Sequence, residues 1–334
     1  MKTIDDGILI LNKPQNWTSH DCVAVCRRVL RLKGIKKIGH GGTLDPMASG
    51  LLPIFIGQAT RIMEYMDLDN KTYLCRARLG VRTNTQDIWG DVIEEKPFAG
   101  ISEEEIRNAL ASFAGMIEQT PPAHSAVRID GKHLYEYAHS GKNIEKEIPS
   151  RKVYIKRLSI RSIDLRAGTV EFELVCSKGT YVRTICQDLG DMLGCGATME
   201  FLERTAVGDL DLTDSISPED VKAMDDEEII DKLDKILLPA DAPLKKFGVA
   251  FLQKDRADYF SHGGETRLGR VRIERRPRIE VDPITERIPE NARGRAYDRI
   301  FCVYEEESGI FLGTGYEDIE KNCLKADKVF VPKR

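Results

Sequence analysis

The alternation of apolar and polar residues in the first part of the chain predicts a strand, a helix and a buried strand in succession. Residues 7–11 form a short apolar run that ends in an Asn-Lys-Pro turn, as a strand does when it leaves a sheet. Apolar residues then recur at helical spacing between residues 23 and 30, so we expect a helix that Ser19 caps and Gly34 ends. Residues 51–56 are apolar throughout and are predicted to be a core strand.

The same patterns predict the elements that follow. Residues 71–80 alternate between apolar and polar, as a half-buried strand does, and Ser102 begins a near capping box for a helix that ends at Gly115. The other expected elements are a helix over 58–66, a turn-rich loop over 82–91, paired strands over 153–166 and 169–176, a strand-to-helix junction over 177–183 with a helix to Gly194, and helical structure over 214–235.

The loop before the buried strand contains the most specific candidate chemistry. Residues 39–50 read GHGGTLDPMASG and include a single acidic residue, Asp45. A polar loop that runs straight into a core strand can hold a functional side chain rigidly. No second acid lies close to Asp45 in the sequence, so a pair of carboxylates for acid–base catalysis is not encoded locally. We therefore expect Asp45 to act as a single carboxylate.

Composition limits the class of protein. The chain has 334 residues, of which 41% are hydrophobic and 31% charged, which is enough for two domains with a sizeable core. No stretch approaches the roughly eighteen apolar residues that cross a bilayer, and the acidic start differs from a signal peptide. The eight cysteines occur singly and form no CxxC pair, as buried thiols do in a reducing compartment. We expect a cytoplasmic protein that does not enter the membrane.

Charge is unevenly distributed along the chain. The net charge of −4 and a pI near 6.0 argue mildly against a nucleic-acid partner. Residues 214–235 hold nine acids against three lysines, however, whereas residues 27–37 and 151–166 are basic clusters. These positions are compatible with a basic face beside an acidic one.

Residues 119–150 form an unusual insert. Two prolines preclude regular structure at its start, and a short helix ended by Gly141 is expected near its end. Basic residues interleaved with aromatic residues suit a mobile flap over a polyanion, because lysine and arginine bind phosphates and aromatic rings stack on bases. A metal site made by His124, His133 and His139 is the alternative, but their spacing matches no zinc pattern.

The C-terminal part of the chain is predicted to be a smaller second domain. Residues 238–243 are the expected linker, and strand-like runs occur at 300–304 and 310–315. Residues 265–299 contain ten arginines and no lysine. They are expected to form an exposed hairpin or a partly disordered loop, with an RNA-binding arm as the alternative.

Two residues outside the Asp45 loop have more than one interpretation from their positions alone. Tyr73 lies near the start of a predicted strand, where it is either a core or edge aromatic or a side chain that points into a cleft. Arg183 lies on the first turn of a predicted helix, where it is either a surface arginine or the partner of a carboxylate or phosphate. The preceding residues 177–180 lack the spaced glycines and the GK[ST] of a phosphate-binding P-loop.

Taken together, these motifs resemble those of the TruB family of tRNA pseudouridine synthases. The most specific block is residues 39–61, GHGGTLDPMASGLLPIFIGQATR, which is similar to the family's catalytic motif. Four further blocks agree in the same order, at residues 11–14, 71–73, 119–131 and 176–197. The likeness covers residues 5–210 closely and the C-terminal region loosely.

The resemblance implies how the chemistry is divided among residues. It implies that Asp45 is the catalytic aspartate, that Arg183 pairs with it, and that Tyr73 stacks on the target base. Isomerisation of uridine moves the ribose bond from N1 to C5 of the base without a redox change, so neither cofactor nor metal is expected. The carboxylate serves either by addition to the ring or by action at the ribose, and the sequence does not choose between these.

The resemblance also implies which residues contact the RNA. A base inside a folded loop must be extruded before it can react. His40 is implied to enter the RNA where the target nucleotide has flipped out, and Leu202 to contact the uracil. Lys13 is implied to brace the catalytic loop, and Tyr181 is a further residue implied at the RNA.

The fold implied by the resemblance is α+β. Residues 1–240 would form a catalytic domain around a mixed, largely antiparallel sheet, with 119–150 as an RNA-gripping insert. Residues 245–334 would form a small β-rich domain similar to PUA, with 265–299 as an arginine-rich loop. The implied partner is tRNA, at the uridine of the TΨC loop (position 55). We expect a monomer that needs no obligatory protein partner.

The sequence departs from the family's pattern at three places. Gly41-Gly42 follows the histidine where Thr/Ser-Gly is usual, residues 124–128 read HSAVR where Tyr-Ser-Ala-x-Lys is usual, and residues 265–299 have no counterpart. Two alternative functions remain at this point. One is the dyskerin-like branch of the superfamily, which works with guide RNA and protein partners, although the insert argues against it. The other is a non-catalytic RNA-binding or RNA-chaperone protein.

Overall fold

Strands between residues 7 and 211 form a mixed sheet in the computed structural model. The structure describes residues 6–32, 34–125, 127–129, 131–134, 136–137, 148–291 and 293–330. Within those residues the sheet has nine strands. They are β1 (Gly7–Lys13), β2 (Ile38–His40), β3 (Ser49–Ile56), β4 (Lys71–Leu79), β7 (Gly115–Gln119), β10 (Arg151–Asp164), β11 (Thr169–Cys176), β12 (Ala197–Val207) and β13 (Leu210–Asp211).

The order of strands places β3, which follows the Asp45 loop, between β1 and β12. The main path runs β1-β3-β12-β4-β11-β10-β7, with β2 on β3 and β13 on β12. Among the described pairs of this sheet only β12–β3 is parallel, so the predicted mixed, largely antiparallel sheet is confirmed. Two small hairpins flank the sheet: β5 (Val81–Thr83) with β6 (Val92–Glu95), and β8 (Arg128–Ile129) with β9 (Lys132–His133).

Helices cover the sheet because their apolar stripes match its buried faces. The described helices are α1 (Ser19–Leu32), α2 (Glu103–Ala111), α3 (Val182–Met192), α4 (Pro218–Ala223), α5 (Asp226–Ile236) and α6 (Lys254–Ser261). The capping box predicted for Ser102 is confirmed, with Glu105 as its partner. The helix expected over 58–66 is instead a 3-10 helix, Gly57–Leu68, and α2 ends before Gly115, which opens β7 at a φ of +94°.

A second sheet follows in the C-terminal part of the chain. Its order is β15 (Glu265–Arg267), β19 (Cys323–Val329), β18 (Phe311–Asp318), β17 (Ile300–Glu305), β14 (Gly248–Leu252) and β16 (Arg272–Arg275). The expected β-rich character of this region is therefore confirmed, and so are the two strands predicted around 300–304 and 310–315. The division into domains at residues 240–245 stays a prediction.

The arginine-rich segment contributes two separate strands to the second sheet. Its strands β15 and β16 lie at opposite edges of the second sheet and do not pair with each other. Arg276 pairs with Glu317, and Arg295 pairs with the fully buried Asp327. Arg275 donates to the Phe247 carbonyl at 2.9 Å. The prediction of one exposed hairpin was wrong because β15 and β16 pair with other strands, whereas an RNA-binding role for this segment stays a prediction.

The two sheets share part of one apolar core. Tyr65 of the 3-10 helix packs edge-on against Phe247, with ring centroids 4.8 Å apart, and its hydroxyl donates to Asp327 at 2.8 Å. The predicted linker is also packed, because Leu238 exchanges backbone hydrogen bonds of 2.9 Å with Ile8. The C-terminal sheet is therefore joined to the first sheet by buried contacts as well as by the chain.

Candidate active site

Asp45 lies in the loop between β2 and β3, and its carboxylate stands over a buried arginine. Nη2 of Arg183 lies 2.9 Å from Oδ2 of Asp45. The Arg183 side chain is 7% exposed, whereas the Asp45 side chain is 43% exposed. An incoming substrate therefore meets the carboxylate, while the guanidinium orients it from beneath through a charge-assisted contact.

Acceptors from two further segments fix Arg183. Its Nη1 donates to the Thr85 carbonyl at 3.1 Å and lies 3.8 Å from Oδ2 of Asp87, and its Nη2 donates to the His124 carbonyl at 3.0 Å. Asp87 is buried, and its Oδ1 accepts from the Thr85 hydroxyl at 2.9 Å. Only the planar guanidinium of an arginine spreads its donors widely enough to bind these carbonyls and the Asp45 carboxylate at the same time. The sequence showed residues 82–91 as a turn-rich loop and gave no sign of this role.

The first turn of α1 holds the Asp45 loop through Ser19. The Ser19 hydroxyl donates to the Leu44 carbonyl at 3.0 Å and accepts from the Leu44 amide at 2.9 Å. Ser19 was predicted to cap the helix, and this was wrong. The hydroxyl of Thr18 accepts from the Asp21 amide at 3.0 Å, while the Asp21 carboxylate accepts from the Thr18 amide at 2.9 Å. Thr18 is thus the cap, which leaves Ser19 for the loop.

Lys13 is a fully buried ammonium that binds main-chain carbonyls at the base of the loop. Its Nζ donates to the carbonyls of Trp17 at 2.7 Å, Pro14 at 2.9 Å and Pro46 at 3.4 Å. Burial lowers the pKa of Lys13 to about 8, while the nearby Asp45 carboxylate acts in the opposite direction. The structure therefore places Lys13 where it can hold the residue that follows Asp45.

Arg204 is a second buried arginine, and the sequence gave no reason to single it out. Its Nε donates to the Leu51 carbonyl at 2.9 Å, and its Nη2 donates to the Gly42 carbonyl at 3.0 Å. It therefore ties both ends of the Asp45 loop to β12. Gly50 at the start of β3 faces Arg204 at a φ of +98°, and a Cβ there would collide with the Arg204 backbone.

Tyr73 faces Arg204 across the β12–β4 pair. The two residues occupy opposite register positions, and Tyr73 packs against the apolar cluster that includes Leu44 and Leu202. Burial raises the pKa of the Tyr73 hydroxyl, and the charge of Arg204 acts in the opposite direction. The hydroxyl is therefore neutral at physiological pH.

His40 and Leu202 lie on either side of the loop. His40 ends β2, is half-buried and faces Ile54. Burial lowers its pKa, so its ring is uncharged at neutral pH. Leu202 is 7% exposed, and its carbonyl accepts from the Ser49 hydroxyl at 3.4 Å. Both residues are thus adjacent to the loop, and their contacts with RNA stay predictions.

Tyr181 stands immediately before α3, the helix that carries Arg183. The buried side-chain amide of Gln119 makes two hydrogen bonds with the backbone of Tyr181. It accepts from the Tyr181 amide at 3.0 Å and donates to the Tyr181 carbonyl at 3.2 Å. The Arg151 guanidinium lies 5.6 Å from the centroid of the Tyr181 ring. Gln119 fixes the start of the helix, a role that its position in the sequence did not reveal.

The insert 119–150 is described only in part. The helix expected to end at Gly141, with His139, lies outside the described residues. The proposed histidine site has no support in the part that is described: Nε2 of His133 accepts from Arg128 at 3.2 Å. No group of three or more His, Cys, Asp or Glu side chains suited to a metal occurs among the described residues. Within the same residues, no helix is long and apolar enough to cross a membrane.

Family models match two adjacent stretches of the chain. Residues 27–182 match the N-terminal domain of the TruB family of pseudouridylate synthases, and residues 183–245 match the C-terminal domain of tRNA pseudouridylate synthase B. The boundary between the two models falls at Arg183, at the start of α3, so both contribute to the site around Asp45. These two matches end before the second sheet begins.

Individual relatives are similar over more of the chain. The tRNA pseudouridine synthase B of Alkaliphilus oremlandii is 44% identical over 248 residues, which is 74% of this chain and 78% of the relative. That of Trichormus variabilis is 36% identical over 329 residues, 98% of this chain and 99% of the relative. The second alignment therefore includes the C-terminal sheet.

Solved structures show the same fold at low sequence identity. The crystal structure of a Cbf5-Nop10-Gar1 complex matches with a TM-score of 0.67 and 22% identity, over 98% of this chain and 85% of that chain. An archaeal box H/ACA sRNP Nop10-Cbf5 complex matches with a TM-score of 0.66 and 21% identity, over 98% and 86%. At these identities the likeness extends to the fold alone.

Proposed function

Since the chain belongs to the TruB family and is a tRNA pseudouridine synthase, we propose that it isomerises the uridine at position 55 of the TΨC loop, using Asp45 as its single catalytic carboxylate. The observation that carries this proposal is the Asp45–Arg183 pair. Asp45 is the solvent-facing member, and Arg183 is the buried one. The other carboxylate near Arg183 belongs to Asp87, which is buried and held by its own loop.

The geometry supports a division of labour between the carboxylate and its surroundings. Breaking the bond between N1 and C1′ and forming one between C5 and C1′ needs a group that reacts at the base or the ribose, and one fixed carboxylate suffices for either route. Arg183 orients that carboxylate. Ser19, Lys13 and Arg204 bind the main chain of its loop, so the carboxylate reaches the substrate without reorganisation.

The reaction also requires that the target base leave its stack in the RNA. A uridine in the TΨC loop must leave its stack at a cost of a few kcal/mol, which an aromatic face and an apolar contact can offset. Tyr73 and Leu202 belong to the same apolar cluster as Leu44, next to Asp45, and we assign them to the extruded base. The uncharged ring of His40 would fill the place that the base leaves, and Tyr181 would contact the RNA near the start of α3.

We further propose that the chain works as a monomer in the cytoplasm, without a cofactor and without an obligatory protein partner. The eight cysteines are free and buried, as expected in a reducing compartment. Residues 119–150 and the C-terminal domain, 245–334, would add RNA contacts to those of the catalytic domain, 1–240. Light scattering of the purified chain together with its activity on tRNA tests the first part of this proposal.

The site of modification can be mapped directly. An unmodified tRNA transcript is incubated with protein that has been dialysed against a chelator, and pseudouridine is then located by carbodiimide labelling and primer extension. We expect one stop, at the TΨC uridine, and none in a transcript with cytidine there. A stop at another uridine would overturn the assignment of the site, and activity that returns only after metal is added would overturn the cofactor-free mechanism.

A further inference from the structure

Large apolar side chains are exposed together on one hairpin near the site. Ile88 is 39% exposed, Trp89 50%, Val92 55% and Ile93 64%, and all four belong to the β5–β6 hairpin or its turn. Single exposed apolar residues are ordinary on protein surfaces, whereas a contiguous group commonly marks a binding surface. Trp89 is the largest of the four and lies at the turn.

The turn that carries Trp89 is connected to Asp45 by a short series of contacts. The Trp89 amide donates to Oδ1 of Asp87 at 3.1 Å, Oδ2 of Asp87 lies 3.8 Å from Arg183, and Arg183 lies 2.9 Å from Asp45. The hydroxyl of Thr184, on the first turn of α3, also donates to the Gln86 side chain at 3.2 Å. The main chain of Trp89 is therefore within a few nucleotide lengths of the Asp45 carboxylate, since successive bases of a strand lie about 3.4 Å apart.

The turn is also rigid. The Asn84 side chain accepts from the Asp91 amide at 3.0 Å, and the Asn84 amide donates to the Asp91 carbonyl at 3.0 Å. The Ile88 amide donates to the Met199 carbonyl at 2.9 Å, which anchors the turn to β12. An exposed indole on a fixed backbone loses little conformational entropy when it binds a partner, because it has only two side-chain torsions to restrict.

The charge of the hairpin indicates which part of an RNA would face it. Asp91 and Glu95 follow Trp89 on the same hairpin, and carboxylates repel phosphates. Glu94 is paired with Lys96 at 2.8 Å and lies 3.4 Å from Arg82, so its charge is largely compensated. A nucleobase carries no charge and stacks on an aromatic face irrespective of its identity. Trp17, the other tryptophan, has Lys222 4.3 Å from the centroid of its ring, so one of its faces is already occupied.

We propose that Trp89 stacks on a nucleobase of the substrate tRNA close to the target uridine, and that it holds the opened loop while the target base lies at Asp45. This inference rests on the proposed function, because the occupant is the tRNA that Asp45 acts on. Trp89 would act in binding and positioning, and it would take no part in the chemical step.

Fluorescence gives a direct test, since the chain contains only two tryptophans. In a Trp17→Phe variant, Trp89 is the sole source of tryptophan emission, and we expect saturable quenching as unmodified tRNA transcript is added. In a Trp89→Phe variant the remaining emission of Trp17 should hardly change. We expect Trp89→Ala to weaken tRNA binding about ten- to hundredfold and Trp89→Phe to restore most of it. Met192→Ala, which truncates a similarly exposed apolar side chain outside this group, should bind within about twofold of wild type.

The outcomes separate this inference from the function on which it rests. In one outcome, wild-type protein forms pseudouridine while tRNA fails to quench Trp89 emission and Trp89→Ala binds tRNA as tightly as wild type. That result would show that the stacking role is wrong and that the function stands. If wild-type protein forms no pseudouridine in tRNA, the proposed function fails and this inference fails with it. Self-association that requires Trp89, with unchanged tRNA affinity in Trp89→Ala, would assign the patch to a second copy of the chain and also overturn the inference.

Discussion

The hydroxyl of Ser19 and the main chain of Leu44 form a two-way contact that joins the first turn of α1 to the loop of Asp45. The distances are 3.0 Å to the carbonyl and 2.9 Å from the amide, and Ser19 is 3% exposed. A single hydroxyl thus satisfies both polar groups of the residue that precedes Asp45. The stability of the loop and the activity of the protein should therefore depend on this contact.

We expect Ser19→Ala to lower turnover strongly, because it leaves a buried donor and a buried acceptor of Leu44 unpaired. Each such group costs about 1–3 kcal/mol, and the loop can avoid this cost only by moving. Thr18→Ala is the matched control, since it removes the helix cap at a cost of about 1 kcal/mol without touching the loop. Turnover per folded molecule and the melting temperature should be measured for both. Equal turnover in the two variants would mean that Ser19 has no special role at the site.

We expect Arg183→Lys to reduce turnover by about a hundredfold or more. A lysine ammonium cannot reach Asp45, the Thr85 carbonyl and the His124 carbonyl together, and misplacing a catalytic group by 1 Å can cost that much. Arg78→Lys provides the control, because Arg78 forms a more exposed ion pair with Glu200. Single-turnover kinetics with saturating enzyme separates the chemical step from binding. The assigned role of Arg183 would be refuted by a lysine variant that reacts at the wild-type rate.

We expect Tyr73→Phe to slow the chemical step while tRNA binding stays within about twofold. The substitution keeps the ring that would stack on the base, but it removes the hydroxyl from the position opposite Arg204 in the β12–β4 pair. Arg204 keeps its bonds to the carbonyls of Leu51 and Gly42, so the melting temperature should fall by only a few degrees. A large loss of thermal stability with normal turnover per folded molecule would show that Tyr73 is only structural.

We expect Lys13 to make the free energy of unfolding depend on pH above neutrality. Its pKa is about 8 in the folded protein and 10.5 in an unfolded chain, so unfolding takes up a proton between these values. Stability from this residue therefore rises with pH over that window, by up to about 1.4 kcal/mol per pH unit. The free energy of unfolding is measured by denaturant unfolding from pH 8 to 10 for wild type and for Lys13→Met. The quantity of interest is the difference between the two slopes of this free energy against pH. Lys71 behaves similarly and cancels, since it is present in both proteins. Identical slopes in the two proteins would contradict the prediction that Lys13 loses a proton when the chain folds in this pH range.

Local patterns in the sequence were sufficient for most of the first sheet. The apolar run of β3, the alternation of β4 and the turn between β10 and β11 each determine their element with little help from the rest of the chain. The strands of the arginine-rich segment were not predicted because the high density of charged residues is also typical of an exposed loop. Residues 271–275, VRIER, alternate between half-buried and exposed, which is typical of an edge strand.

The site was harder to predict where its contacts are distant in sequence. Thr18 and Ser19 are adjacent hydroxyls, and only the position of Leu44, 25 residues away, shows which of them caps the helix. Arg204 binds the Gly42 carbonyl across 162 residues, and an arginine in a strand gives no local sign that it will be buried. Asp87 likewise shows its role only once α3 places Arg183 beside it.

The central claim is that one carboxylate, that of Asp45, carries the isomerisation. It is tested most directly by tritium release from tRNA transcript labelled at C5 of uridine, because the hydrogen at C5 is lost when that carbon joins the ribose. Wild-type protein and Asp45→Asn are compared at equal tRNA occupancy. We predict release by the wild type and none by Asp45→Asn, which keeps the shape of the side chain without its charge. Release by Asp45→Asn at a rate close to that of wild type would contradict the account.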